Sequence, residues 1–274
     1  MTATPARHNN RFWLATNAFW ATLRRDLVVT RRELAQFLIQ ALIQPMFFLF
    51  IFCKILPNIG LAAGNYASLL LPGIVGLTEL MAAIQGVALP LVLDLGYARE
   101  IDDRLLAPLP LWMVAAEKVL FAAMRGMVAG TIIFPAAWWI LGANYAVRGD
   151  RIGVLAGMIV LAAFAGSGIG LLIGTMVKPE QISLMFSLIL APLLFTGCTY
   201  YPWSALRNIR WFQIVTLLNP LTYAAEGLRY AMVPPAHGHA MPTLPIHWVL
   251  VALAATILLC FIFGVRTFRA RVVS

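Results

Sequence analysis

The chain has 274 residues, of which 61% are hydrophobic and only 11% charged, and it carries a formal net charge of +9. A water-soluble domain holds about a quarter charged residues, and it has no use for apolar runs of about 20 residues, the length that crosses about 30 Å of hydrocarbon. Six such runs exclude a soluble enzyme, and because the basic residues flank them, the charge reads as an orientation signal and an attraction to anionic headgroups rather than as nucleic-acid binding.

The first predicted element, Asn10 to Arg32, is an amphipathic helix. Phe12, Thr16, Phe19, Trp20, Leu23 and Leu27 fall on one side, and Arg11, Arg25 and Arg32 fall away from it. Such a helix lies along a membrane surface, with Trp13 and Trp20 at headgroup level. Residues 1–33 are thus expected to form a cytoplasmic arm, with no cleavable signal sequence in it.

The transmembrane part is expected over residues 34–265. Its first span, 34–56, contains Pro45, which predicts a bend, and it ends at the turn residues Pro57, Asn58 and Gly60. The second span, 67–93, leads into a polar stretch from Asp94 to Arg104 that must be wet. Spans three to five are predicted at 112–141, 152–177 and 182–199, with Pro179 opening the turn between the last two. Tyr200 to His247 is too polar to span yet rich in Trp, Tyr, Leu and Pro, so it reads as half-immersed. The sixth span, 248–265, ends in a basic tail, 266–274, with Arg266, Arg269 and Arg271. Fourteen of the 20 lysines and arginines fall on the N-terminal side of this arrangement, which predicts that both termini are cytoplasmic. The fold class is therefore an all-α integral membrane protein with six transmembrane helices.

Glycines at four-residue spacing, Gly166, Gly170 and Gly174 with Gly153 and Gly157 before them, place small residues on one face of the fourth span. Another helix can approach that face closely, either from the same chain or from a second subunit. Cys53, Cys198 and Cys260 stand alone, without a CxxC pair, and read as packing residues. Glu79 in the second span and Arg125 in the third are intramembrane charges; at similar depth they are expected to face one another, the alternative being a protonated Glu79 of purely structural role. There is no phosphate-binding loop, zinc-protease or serine-hydrolase motif, so the chain is not expected to be an enzyme or to bind ATP itself. His237 and His239 form an HxH pair without a third ligand nearby, which fits an ordinary loop better than a metal site.

From Phe195 the chain reads FTGCTYYPWSALRNIRWFQIVTLLNPLTYAAEGLRYAMV, and this resembles the C-terminal signature of the ABC transporter type-2 permeases. The matching positions are Phe195, Gly197, Tyr201, Pro202, Asn219, Pro220, Thr222, Glu226 and Arg229. The likeness extends to the six spans, the basic amphipathic N-terminal helix and the charged turn after the second span, and it looks closest to exporters of the daunorubicin-resistance and lipooligosaccharide type. The resemblance implies a permease subunit of a bacterial inner-membrane exporter of amphipathic drugs, lipids or glycolipids. ATP and Mg would belong to two separate ATPase subunits, and a second permease copy or a relative of it would complete the assembly. A glycan exporter is the close alternative, and a proton-coupled carrier using Glu79 a more distant one. The turn Tyr97 to Pro108 would be the helix that docks on the ATPase, through Tyr97, Arg99, Glu100, Ile101, Asp102, Asp103 and Leu105. Residues 202–233 would form a re-entrant helical hairpin held by Glu226 and Arg229, and Phe48, Phe52 and Phe195 would line the substrate path.

Overall fold

A computed structural model describes residues 8–60, 66–98, 110–142, 145, 147–235 and 241–273. These residues are helical with short connections, and six of their helices are long and apolar enough to cross a membrane. Helix α1 spans His8–Arg32, and a single bend residue, Glu33, separates it from α2, Leu34–Phe50. Helix α2 continues past Pro45, which has no N–H to donate, and the α pattern gives way later, at a π turn over Ile51–Ile55, before a last short turn Leu56–Asn58. Helix α3 is Tyr66–Leu93 and continues as a second π turn, Asp94–Ala98, so the polar stretch starts as helix. Helices α4, Leu111–Leu141, and α5, Ile152–Met176, follow.

Helix α6, Ile182–Thr196, stops three residues before the predicted end of the fifth span. A turn, a 3-10 segment Trp203–Asn208 and two short helices come next, α7 at Arg210–Thr216 and α8 at Pro220–Met232. Helix α9, Ile246–Val273, is longer than the predicted sixth span at both ends. The arginine-rich tail is thus the last two turns of this helix. It is held to α5 by Thr267, whose hydroxyl lies 2.6 Å from that of Thr175, and by Arg271, which donates to the carbonyls of Thr175 (3.1 Å) and Val177 (2.8 Å) at the end of α5. A cation there satisfies carbonyls that a helix leaves free at its C-terminus.

Helix α3 is the axis of the bundle. It packs against α4, α5 and α8, and every residue from Leu70 to Leu80 is buried. The apolar surface of α9 packs on α5, whereas α2 and α6 lie at the periphery. Close approach of α5 to α3 is made possible by the glycine face. A methyl group on Gly166 would come within 2.8 Å of the Leu80 carbonyl oxygen, and one on Gly170 within 2.6 Å of that of Ile84. Gly174 meets Ala88 and Leu91 in the same way, so the partner of this face belongs to the same chain. Gly153 and Gly157 have nothing within reach. Gly170→Ala is accordingly expected to destabilise the detergent-solubilised protein by about 1–3 kcal/mol through overpacking. Gly157→Ala serves as the matched control and should leave the melting temperature unchanged.

The apolar side of α1 is divided between two neighbours. Ala15 and Leu23 are buried against the bundle, while Trp13, Trp20 and Leu27 remain exposed. The predicted stripe from Phe12 to Leu27 therefore does not act as one surface. Exposed tryptophans also mark the two ends of the bundle. Trp112 opens α4, and Trp138 and Trp139 close it, together with Trp211 on α7 and Trp248 at the start of α9. From Trp112 to Trp138 the helical rise amounts to about 39 Å. That is longer than the roughly 30 Å of hydrocarbon, so α4 reaches past the apolar layer at its ends.

Candidate functional site

The residues that carry the C-terminal signature assemble at one end of the bundle. Asn219 caps α8: its Oδ1 accepts the Leu221 N–H (2.9 Å), and Pro220 fills the first helical position, where no N–H is needed. The Asn219 amide also donates to the Leu193 carbonyl (3.1 Å) and the Thr196 hydroxyl (2.9 Å), which fastens the cap to the end of α6. Thr222 sets its hydroxyl 2.6 Å from the Thr216 carbonyl, closing the α7–α8 connection. Gly197 is required by space, because a side chain there would strike Leu221.

One turn further along α8, Glu226 and Arg229 form a fully buried ion pair at 2.8 Å. Glu226 Oε1 accepts the Trp203 N–H (2.9 Å), and Oε2 accepts the Leu244 N–H (3.2 Å). Arg229 donates through Nε to the Leu69 carbonyl in α3 (3.1 Å) and through Nη2 to the carbonyls of Cys198 and Thr199. Two side chains on one helix thereby tie together the start of α3, the turn after α6, the 3-10 segment and the approach to α9. The turn is shaped for this role. Cys198 is a non-glycine residue at φ 51°, a left-handed conformation that presents successive carbonyls to the guanidinium. Gly73 of α3 packs directly on Thr199, with no room for a side chain.

Three further signature residues, Phe195, Tyr201 and Pro202, complete the set. Tyr201 bonds the Phe195 carbonyl, and Pro202 caps the 3-10 segment. The Phe195 ring, however, is 65% exposed and is not part of the apolar cluster that holds Phe48 and Phe52. Phe48 and Phe52 lie 6.0 Å apart, and the Tyr200 ring packs on both, at 5.5 and 5.7 Å. Phe48 also lines a groove between α2 and α3, whereas Phe195 does not. The three phenylalanines expected along one path do not form one surface.

The expected pairing of Glu79 with Arg125 is not formed. Helices α3 and α4 pack in a register that sets Glu79 opposite Gly126 and Gly130, while Arg125 lies beside Gly86, seven residues along α3. That offset is about 10 Å of helical rise. The Glu79 carboxyl fills the space left by Gly130 and has no side-chain partner among the described residues. Arg125 turns instead toward α2, with its guanidinium 4.5 Å from the centre of the Phe37 ring.

Sequence reasoning overlooked a second ion pair, the buried Lys118 with the partly exposed Asp26 at 2.7 Å, which fastens α1 to α4. Glu117 lies 3.8 Å from the same ammonium. The adjacent charges Glu117 and Lys118 inside an apolar run were the available signal. Burial opposes ionisation of Asp26, but the hydrogen bond and charge of Lys118, with Arg25 beside it, outweigh burial and hold its carboxyl below the usual range. Of the residues expected to dock on an ATPase, Tyr97 contributes only its place in the Asp94–Ala98 turn. Arg99, Glu100, Ile101, Asp102, Asp103 and Leu105 lie outside the described residues, as do His237 and His239.

The sequence matches the family model described as ABC-2 type transporter over residues 17–233, from within α1 to the end of α8. It is also similar to the inner membrane transport permease YadH of Escherichia coli K12 and of Shigella flexneri. Each is 25% identical over 232 residues, covering 81% of this chain and 84% of the relative. A family match over most of the chain, six apolar helices and the assembled signature at the end of α8 agree, and the chain belongs to the ABC-2 type transporter family.

Proposed function

We propose that this chain is the membrane-spanning permease of an ATP-driven exporter in a bacterial inner membrane. Two copies, or one copy and a related chain, assemble with two ATPase subunits that supply ATP and Mg. The cargo is an amphipathic or lipophilic molecule, namely a drug, lipid or glycolipid. The observation that carries this reading is the course of α3. At one end Arg229 grips it through the Leu69 carbonyl, and at the other it runs on through the Asp94–Ala98 turn toward the charged segment 97–108. A helix buried over most of its length moves as a rod, so a push at that segment reaches the opposite membrane face with little lost in loose packing. The hairpin of α7 and α8 dips into the outer leaflet, and its internal hydrogen bonds satisfy backbone groups that lipid cannot.

The test is co-purification of the tagged chain from its native membranes. An ATPase subunit is expected in stoichiometric amount, lost when Glu100→Lys and Asp103→Lys are combined. Recovery of the wild-type chain without any ATPase, still active in transport driven by a proton gradient and blocked by Glu79→Gln, would establish the carrier reading instead.

A further inference from the structure

The groove between α2 and α3 has a chemistry at odds with its setting. It is a cavity of about 170 Å³, smaller than the 300–1,000 Å³ that encloses a whole drug-sized molecule. Its walls carry the amides of Gln40 and Gln44 on α2 and Gln85 on α3, the hydroxyl of Thr78 and the guanidinium of Arg125. All three glutamines are exposed, although they lie within apolar helices of spanning length. Polar side chains so placed are costly in hydrocarbon and usually face a pathway or a partner. Here they converge on one groove.

Arg125 supplies the sign. Its guanidinium rests on the Phe37 ring, and its Nε is buried with no hydrogen-bond partner. Glu33, at the junction of α1 and α2, acts on it through charge, but no carboxylate lines the groove itself. Arg125 is seven residues, about 10 Å of rise, further along α4 than Lys118, where α1 is fastened. With α1 at the membrane surface, this places the guanidinium just beneath the headgroup layer. A cation with a free donor and a forked geometry suits phosphate or carboxylate oxygens, and the glutamine amides add donors beside it. A cationic headgroup would be repelled by it.

We infer that this groove binds the anionic headgroup of a membrane lipid drawn sideways from the inner leaflet, with Arg125 as the charge partner and Gln40, Gln44 and Gln85 as hydrogen-bond donors. Its acyl chains stay on the lipid-facing side, because the cavity has room for a headgroup only. This deepens the export reading by naming a class of amphipath, and it rests on α1 lying at the membrane surface.

The purified full chain in neutral detergent is titrated with short-chain phosphatidylglycerol, with phosphatidylcholine of the same chains and with inorganic phosphate, and bound ligand is counted by native mass spectrometry. Saturable binding of phosphatidylglycerol is expected, at least tenfold tighter than that of phosphatidylcholine, with inorganic phosphate ineffective because it lacks chains. Arg125→Gln should lose at least tenfold, Arg125→Lys should keep most of the affinity, and Lys54→Gln, a control cation elsewhere on the surface, should bind as wild type. Should Arg125→Gln fold poorly, Gln44→Leu with Gln85→Leu tests the same groove at unchanged charge and should weaken binding severalfold. Equal affinity for the two lipids, displacement by inorganic phosphate, or undiminished binding by both the arginine and the glutamine variants would overturn the inference. No ATPase is present in this measurement, so its result is independent of whether the chain works with one.

Discussion

Replacing Arg229 by Met is expected to collapse the end of the bundle where α3 begins. The substitution leaves Glu226 as a buried charge without its cation and strands the carbonyls of Leu69, Cys198 and Thr199. Removing one partner of a buried pair costs about 3–5 kcal/mol, a large part of the net stability of a typical domain. The detergent-solubilised protein should lose its cooperative thermal transition or show it at a much lower temperature. Arg229→Lys should fall between the two, because a lysine ammonium is a point donor that cannot reproduce the guanidinium fork across carbonyls and a carboxylate. The double change Glu226→Gln with Arg229→Met should be less damaging than the sum of the single ones, since the orphaned charge is removed along with its partner. Full additivity in that cycle would mean that the pair does not act as a unit.

The second large effect is expected at Lys118. Lys118→Ala takes the ammonium away from the partly exposed Asp26, 2.7 Å off, which keeps Arg25 beside it, and from the buried Glu117, 3.8 Å off. Asp26 comes from α1 and Lys118 from the third span, so this contact carries α1. Loss of a charged hydrogen bond worth about 1.5–3 kcal/mol at one end of the α1–α4 contact should loosen α1, read as faster backbone hydrogen exchange over residues 15–30 while α3 stays protected. Asp26→Asn with Lys118→Met should recover part of the protection. The pH dependence has a definite sign. Because the folded-state pKa of Asp26 is depressed, its contribution is complete above the ordinary carboxylate value and is lost as pH falls through the lower, folded value. Protection factors in α1, corrected for the intrinsic pH dependence of amide exchange, should thus hold steady between pH 5 and 8 and fall only in acid below about pH 4. A loss of protection centred near neutrality would point to a different group.

The sequence made the spans legible because hydrocarbon thickness imposes length and apolarity on each of them, and both are local properties. The cap at Asn219 and Pro220 and the one-turn spacing of Glu226 and Arg229 were legible for the same reason, since helix geometry alone brings them into position. Their partners were not. Arg229 spends most of its donors on main-chain carbonyls of Leu69, Cys198 and Thr199, and a backbone acceptor leaves no trace in residue identity. Helix register was equally hidden. Equal distance from a common turn suggested that Glu79 meets Arg125, but Gly126 and Gly130 draw α4 against Glu79 and shift Arg125 toward Phe37. The link from Asp26 to Lys118 joins residues 92 apart in the chain, beyond any periodicity. The last helix extends through its arginines because Arg271 finds carbonyls at the end of α5, a tertiary contact that overrides the polar composition of the tail.

The proposed export function requires one direction, with the Glu226–Arg229 grip facing outward and the charged end of α3 facing the cytoplasm together with both termini. Single cysteines introduced as Arg207→Cys, in the 3-10 segment beside the grip, and Arg269→Cys, near the end of α9, read this directly in intact cells. The native thiols at Cys53 and Cys198 are buried, and the unaltered chain sets the background. A membrane-impermeant maleimide is predicted to label the cysteine at position 207 from outside and to reach the one at position 269 only after the membrane is opened. Labelling of position 269 in intact cells, with position 207 protected, would contradict the account.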